Sequence, residues 1–95
     1  MNKKKRKSMK KNRPFYIIQD SLDLHGYTKN ESYELVIQFL NNAKENNLSK
    51  IEIITGIGNN SPNGKSVLLE HTITILEEYG FYKYIRKLGS IEIFL

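Results

Sequence analysis

The sequence predicts an α/β fold, a two-layer βαβαββ sandwich whose four-stranded mixed sheet carries two helices on one face. Three observations lead there. Apolar residues recur at helical spacing in two stretches, residues 28–46 and 66–79. Short runs rich in Ile, Phe and Tyr precede, separate and follow those stretches. The last two runs are joined by Gly89-Ser90, a link suited to a type II′ hairpin, so they pair antiparallel, whereas helical crossovers make the earlier pairing parallel.

Residues 1–13 form a basic tail. Lys3, Lys4, Lys5, Arg6, Lys7, Lys10, Lys11 and Arg13 lie there with no acid, while the other seven Lys and Arg face ten Asp and Glu, leaving residues 14–95 at −3. The basic character belongs to the tail. With almost no apolar content and strong self-repulsion it is expected to be disordered when free. Two readings fit it: a solubilising extension, or an arm that binds a polyanion such as nucleic acid or the ribosome by releasing counterions.

The rest, residues 14–95, is read as one domain with a single modest core. Phe15 to Leu24 reads as the first strand, an apolar run passing into alternation. Thr28 and Glu31 have the spacing of a capping box, and Tyr33, Val36, Ile37, Leu40 and Ala43 follow at helical period until Asn46-Asn47 supplies the stop. Lys50 to Thr55 is a β-branched strand with Ile51, Ile53 and Thr55 on one side. A long polar loop leads to a second helix, Ser66 to Tyr79, stopped by Gly80. His71, within that helix, is read as a surface or boundary residue with no site role.

Phe81 to Leu88 and Ile91 to Leu95 complete the sheet. The final strand is too apolar for an edge, whereas Tyr82 to Lys87 carries the charges that protect one. Strand four is therefore expected between strands two and three, with the other sheet face open. Tyr27, Tyr33, Tyr82 and Tyr84 are read as core or edge-strand residues rather than as partner contacts.

Chemistry points to the end of the first strand. In Leu22-Asp23-Leu24-His25-Gly26, alternation puts Asp23 and His25 on one face and the leucines on the other, and Gly26 lets the chain turn. An imidazole beside a carboxylate can take and give protons near neutral pH. The structural alternative is that Asp23 accepts backbone amides of the turn while His25 bridges strand and loop. The second candidate is Thr55-Gly56-Ile57-Gly58, continued by Asn59 and reaching Lys65 at the head of the second helix. Its amides either converge on an anion or form a plain turn.

In their order and spacing, Leu22-Asp23-Leu24-His25-Gly26 and Thr55-Gly56-Ile57-Gly58 resemble the motifs of the Smr (small MutS-related) domain family, Thr-Gly-x-Gly subgroup, over about Leu22 to Leu95. The resemblance implies a fold similar to the C-terminal domain of translation initiation factor three. It also implies nucleic-acid binding and, as in several members, endonuclease activity on RNA or nicking of DNA. By that resemblance Asp23 and His25 are the catalytic pair, and Thr55, Gly56 and Gly58 form the second-motif loop, with Asn59-Asn60-Ser61 similar to the subgroup's longer loop. Two positions depart: many members have His where Thr55 stands, and active ones often have Lys or Arg in place of Ile57.

The expected interface with nucleic acid is then Gly26, Thr55, Gly56, Gly58, Asn59, Lys65 and the basic tail, with no metal and no cofactor required. The alternative is a binding module for RNA, DNA or the ribosome without chemistry. No cysteine is present for a disulfide or a thiolate zinc site, and the two histidines lie far apart in sequence. Residues 15–24 supply no apolar signal-peptide core, no run reaches about 20 apolar residues, and Asn2 excludes an N-myristoylation signal. A cytoplasmic protein without membrane attachment is expected.

Overall fold

The computed structural model describes residues 17–57 and 67–95. The tail, Pro14, residues 15 and 16 of the expected first strand, and the loop from Gly58 to Ser66 lie outside the described residues. In order the chain forms β1 (Asp20–Asp23), α1 (Lys29–Glu45), β2 (Lys50–Ile54), α2 (Val67–Glu78), β3 (Tyr84–Lys87) and β4 (Ser90–Phe94). The sheet order is β1-β2-β4-β3, with β1 parallel to β2 and β4 antiparallel to both neighbours. Strand four thus lies between two and three, as its apolar content requires. Ile91 and Ile93 are fully buried, while β3 presents Arg86 and Lys87 along the edge.

Ile51 pairs with Ile93 and Ile53 with Ile91, and these four side chains pack against Val36, Leu40 and Ala43 of α1 and Ile73, Ile75 and Leu76 of α2. Both helices therefore cover one sheet face. The opposite face carries Ser21, Asp23, Glu52, Ile85, Lys87, Glu92 and Phe94, as strand alternation demands. At its centre Glu92 is 8% exposed, with Lys87 Nζ at 2.9 Å and Lys50 Nζ at 3.4 Å. The Lys87 ammonium, aided by Lys50, holds the Glu92 carboxyl below the usual carboxylate range despite the opposing effect of burial.

The capping box at α1 is complete: Thr28 Oγ1 accepts the Glu31 N–H at 3.2 Å, and Glu31 Oε1 accepts the Thr28 N–H at 2.9 Å. The helix closes with Asn47 at φ 56, its N–H on the Lys44 carbonyl at 3.1 Å and the Leu48 N–H on Ala43 at 3.0 Å, a Schellman arrangement. α2 ends the same way around Gly80, with the Phe81 N–H on the Leu76 carbonyl at 2.8 Å.

Three expectations need correction. β1 begins at Asp20, because its partner strand begins at Lys50 and Gln19 Oε1 there accepts the Ser49 and Lys50 amides, capping the pair. β3 is confined to Tyr84–Lys87; Phe81 packs on the core and Tyr82, 70% exposed, projects from the connector. The hairpin turn is Leu88-Gly89, since Lys87 pairs with Ser90, and a positive φ of 80° at its second residue only is the sign pattern of type II, not II′. His71 is half-buried, its ring centroid 6.4 Å from that of Tyr33 and its Nε2 buried without a hydrogen-bond partner. Among the described residues no helix is long and apolar enough to cross a membrane.

Candidate functional site

Because β1 and β2 run parallel, their C-terminal ends meet at one rim of the sheet, where open α/β sheets bind ligands. The ladder continues one residue past β1, with the Leu24 N–H on the Ile54 carbonyl at 2.7 Å, and the Leu24 side chain is fully buried. This buried leucine fixes the backbone on either side of it. The chain then turns: the Tyr27 N–H reaches the Leu24 carbonyl at 3.1 Å, with Gly26 at φ 87 in the third position, which a residue with a Cβ rarely adopts.

Within that turn Asp23 Oδ1 accepts the His25 backbone N–H at 3.0 Å and lies 3.0 Å from His25 Nδ1. An ionised carboxylate only accepts, so Nδ1 carries a proton, and in the neutral ring Nε2 is the acceptor. The side chains of His25 and Asp23 are 77% and 53% exposed. The His25 backbone N–H, and after it the His25 ring, hold the Asp23 carboxyl below the usual carboxylate range. One carboxylate thus makes two contacts: Asp23 ties the turn through the His25 backbone N–H and orients the imidazole through Nδ1.

The second motif lies alongside. A Cβ built on Gly56 would stand 3.8 Å from His25 Cβ. Thr55 is buried, its hydroxyl donating to the Gly56 carbonyl at 3.3 Å, and the backbone N–H groups of Thr55 and Gly56 both donate to the Gly89 carbonyl, at 2.9 and 3.1 Å. The Gly56 amide is therefore engaged by the hairpin turn rather than free for an anion. Asp23, His25, Gly26, Thr55 and Gly56 are brought together at one rim; Gly58, Asn59, Lys65 and the tail cations Lys3, Lys4, Lys5, Arg6, Lys7, Lys10, Lys11 and Arg13 lie outside the described residues.

Gly89 is the residue that sequence reasoning missed at this rim. A Cβ there would sit 3.3 Å from the Gly56 carbonyl carbon and 3.5 Å from Ile57 Cγ2, so the hairpin presses directly on the second motif. Its place in a short turn between two strands was visible; its partner in space was not. Among the described residues no three His, Cys, Asp or Glu side chains form a cluster able to hold a metal ion.

Comparison with known proteins gives a consistent answer. Among solved structures the chain is similar to the Smr domain of Thermus thermophilus MutS2, with a TM-score of 0.67 and 20% identity over 80% of this chain and 96% of that one, a likeness of fold. It is similar to the human small-MutS related domain, with a TM-score of 0.63 and 28% identity over 78% and 98% of the two chains. It is also similar to the Smr domain of NEDD4-binding protein 2, with a TM-score of 0.64 and 29% identity over 81% and 85%. No curated protein sequence matches the chain. The family model of the Smr domain matches residues 22–90, a span that holds both motifs and every element from α1 to β3, and the chain belongs to the Smr domain family, known for nucleic-acid binding and nuclease activity.

Proposed function

We propose that this domain binds nucleic acid and cleaves RNA, or nicks DNA, as a metal-independent endonuclease using Asp23 and His25. The observation that carries the reading is the exposed imidazole at the sheet rim held through Nδ1 by a carboxylate. On RNA, Nε2 removes the proton of a 2′-hydroxyl; that oxygen attacks the adjacent phosphorus, the bond to the 5′-oxygen breaks as a 2′,3′-cyclic phosphate forms, the 5′-oxygen takes a proton from water, and the imidazolium returns its own to solvent. Asp23 holds the ring in the required tautomer and stabilises the imidazolium. Lys65, two residues before Val67 in sequence, would offset charge developing on the phosphate.

The alternative is a binding module without chemistry for RNA, DNA or the ribosome. The engaged Gly56 amide favours it, since that N–H is turned to Gly89 instead of to a phosphate, and so do Thr55 and Ile57 in place of an imidazole and a cation. Labelled single-stranded RNA and supercoiled plasmid decide between the two, incubated with the wild type, His25→Ala and Asp23→Asn, each with and without chelator. Cleavage that persists in chelator and disappears in His25→Ala supports the endonuclease. Cleavage at equal rates in wild type and His25→Ala removes the catalytic assignment, and binding without cleavage leaves the module.

A further inference from the structure

At the end of the molecule opposite the Asp23–His25 rim, where the α2–β3 connector passes the last residues of β4, a cleft of about 370 Å³ opens between Lys44, Phe81, Tyr82, Lys83 and Phe94. Three aromatic rings and two ammonium groups meet there beside Gly80 and Leu95, the last residue of the chain, and no Asp or Glu side chain lines it; the Phe94 ring already has Lys50 Nζ 5.4 Å from its centre. The side chains that line it carry positive charge alone, whereas the body around it is acidic. Among the described residues Lys50, Arg86 and Lys87 are each held by a carboxylate, whereas Lys29, Lys44 and Lys83 are in no ion pair, and the last two share this cleft. Lys44 Nζ instead stands 5.5 Å from the centre of the Phe81 ring. Tyr82 is 70% exposed, a large aromatic surface left in water with nothing in the fold to cover it.

We propose that this cleft is a second contact for single-stranded nucleic acid, in which a base stacks against Tyr82 and its neighbouring rings while flanking phosphates meet Lys44 and Lys83. Aromatic faces interleaved with unpaired cations are the chemistry by which proteins hold single strands without reading sequence. The volume is at the small end of ligand sites, a size suited to one base rather than a helix. A duplex keeps its bases stacked and offers this cleft only phosphates. The inference rests on the nucleic-acid reading of the domain but not on cleavage, and it assigns the far end of the sheet a part in holding the strand that the rim would cut.

The test uses the full chain and a single-stranded oligoribonucleotide carrying 4-thiouridine, with a DNA oligonucleotide of the same sequence and the corresponding duplex as further arms. Photocrosslinks are expected in the peptide containing Tyr82. Tyr82→Ala should weaken single-strand binding by roughly tenfold, within the range seen when one stacking platform is lost. The double variant Lys44→Ala/Lys83→Ala should lower the slope of log affinity against log salt by about 1.4, two phosphates at about 0.7 each. All three side chains are exposed at the cleft, and circular dichroism of the variants is expected to match the wild type. Crosslinks confined to other peptides, or variants that bind like the wild type, overturn the cleft. A wild type that crosslinks at Tyr82 but never cleaves overturns the endonuclease reading and leaves the cleft standing. Cleavage with no involvement of Tyr82, Lys44 or Lys83 does the reverse.

Discussion

The carbonyl of Gly89 accepts the backbone N–H of Gly56 at 3.1 Å, so the β3–β4 hairpin and the second motif are one structural unit. Gly89→Ala should therefore act on the site as well as on the fold. The substitution places a Cβ 3.3 Å from the Gly56 carbonyl carbon at a φ of 80°, and the left-handed conformation alone costs about 1–2 kcal/mol for a residue with a Cβ. Urea denaturation should show a loss of at least that size, with weaker nucleic-acid binding in the molecules that remain folded.

Leu24 separates the two rim residues and is fully buried among the core side chains. Leu24→Ala is expected to cost about 2–5 kcal/mol, the range for opening a cavity under a leucine. Denaturation melts measure that loss. Any cleavage activity should fall further than the folded fraction does, because Asp23 and His25 lose their common anchor.

The pH dependence of Asp23 has a definite sign. Its folded carboxyl titrates below the ordinary carboxylate range, so its contacts with His25 contribute stability that is present above the unfolded value and lost as pH falls through the folded one. Asp23→Asn removes this dependence. Stability profiles of the wild type and the variant should differ at neutral pH and converge in acid.

On the catalytic reading, His25→Ala leaves the fold intact, because the ring is largely in solvent, and lowers cleavage by about 10²- to 10⁴-fold, the usual worth of a positioned acid or base. Asp23→Asn should retain more activity than His25→Ala and shift the pH–rate profile. Single-turnover assays across pH distinguish these outcomes.

Removing residues 1–13 should flatten the dependence of log affinity on log salt by about 0.7–0.9 for every phosphate the tail neutralises. Equilibrium binding at several ionic strengths gives the slope directly. An unchanged slope would assign binding to the folded body.

Much of the fold was legible in local chemistry. Thr28 and Glu31 announce a capping box three residues apart, and Asn46-Asn47 a helix stop, because both are satisfied within a few residues of chain. The position of β4 followed from comparing its apolar content with the charges of β3. The pairing of Asp23 with His25 was legible too, as strand alternation meeting a glycine. What escaped depended on distant partners. β1 starts only where β2 begins at Lys50, the Leu88-Gly89 turn is set by which residue Lys87 faces, and the amide of Gly56 is claimed by a carbonyl in the β3–β4 hairpin. Tyr82 read as a strand residue from its neighbours, yet the strand starts only at Tyr84.

The arrangement of Lys50 and Lys87 about Glu92 reaches beyond the sheet that contains it. On the broad uncovered surface of the molecule both of those cations lean on the one carboxylate of Glu92, and Asp23 and Glu52 share the same face, so that plane offers a polyanion no surplus of positive charge. A strand held by the protein would leave that plane bare and find its electrostatic footing at the aromatic cleft, where Lys44 and Lys83 have no side-chain carboxylate against them, while the imidazole rim, its ring already matched by Asp23, would offer contacts other than net charge.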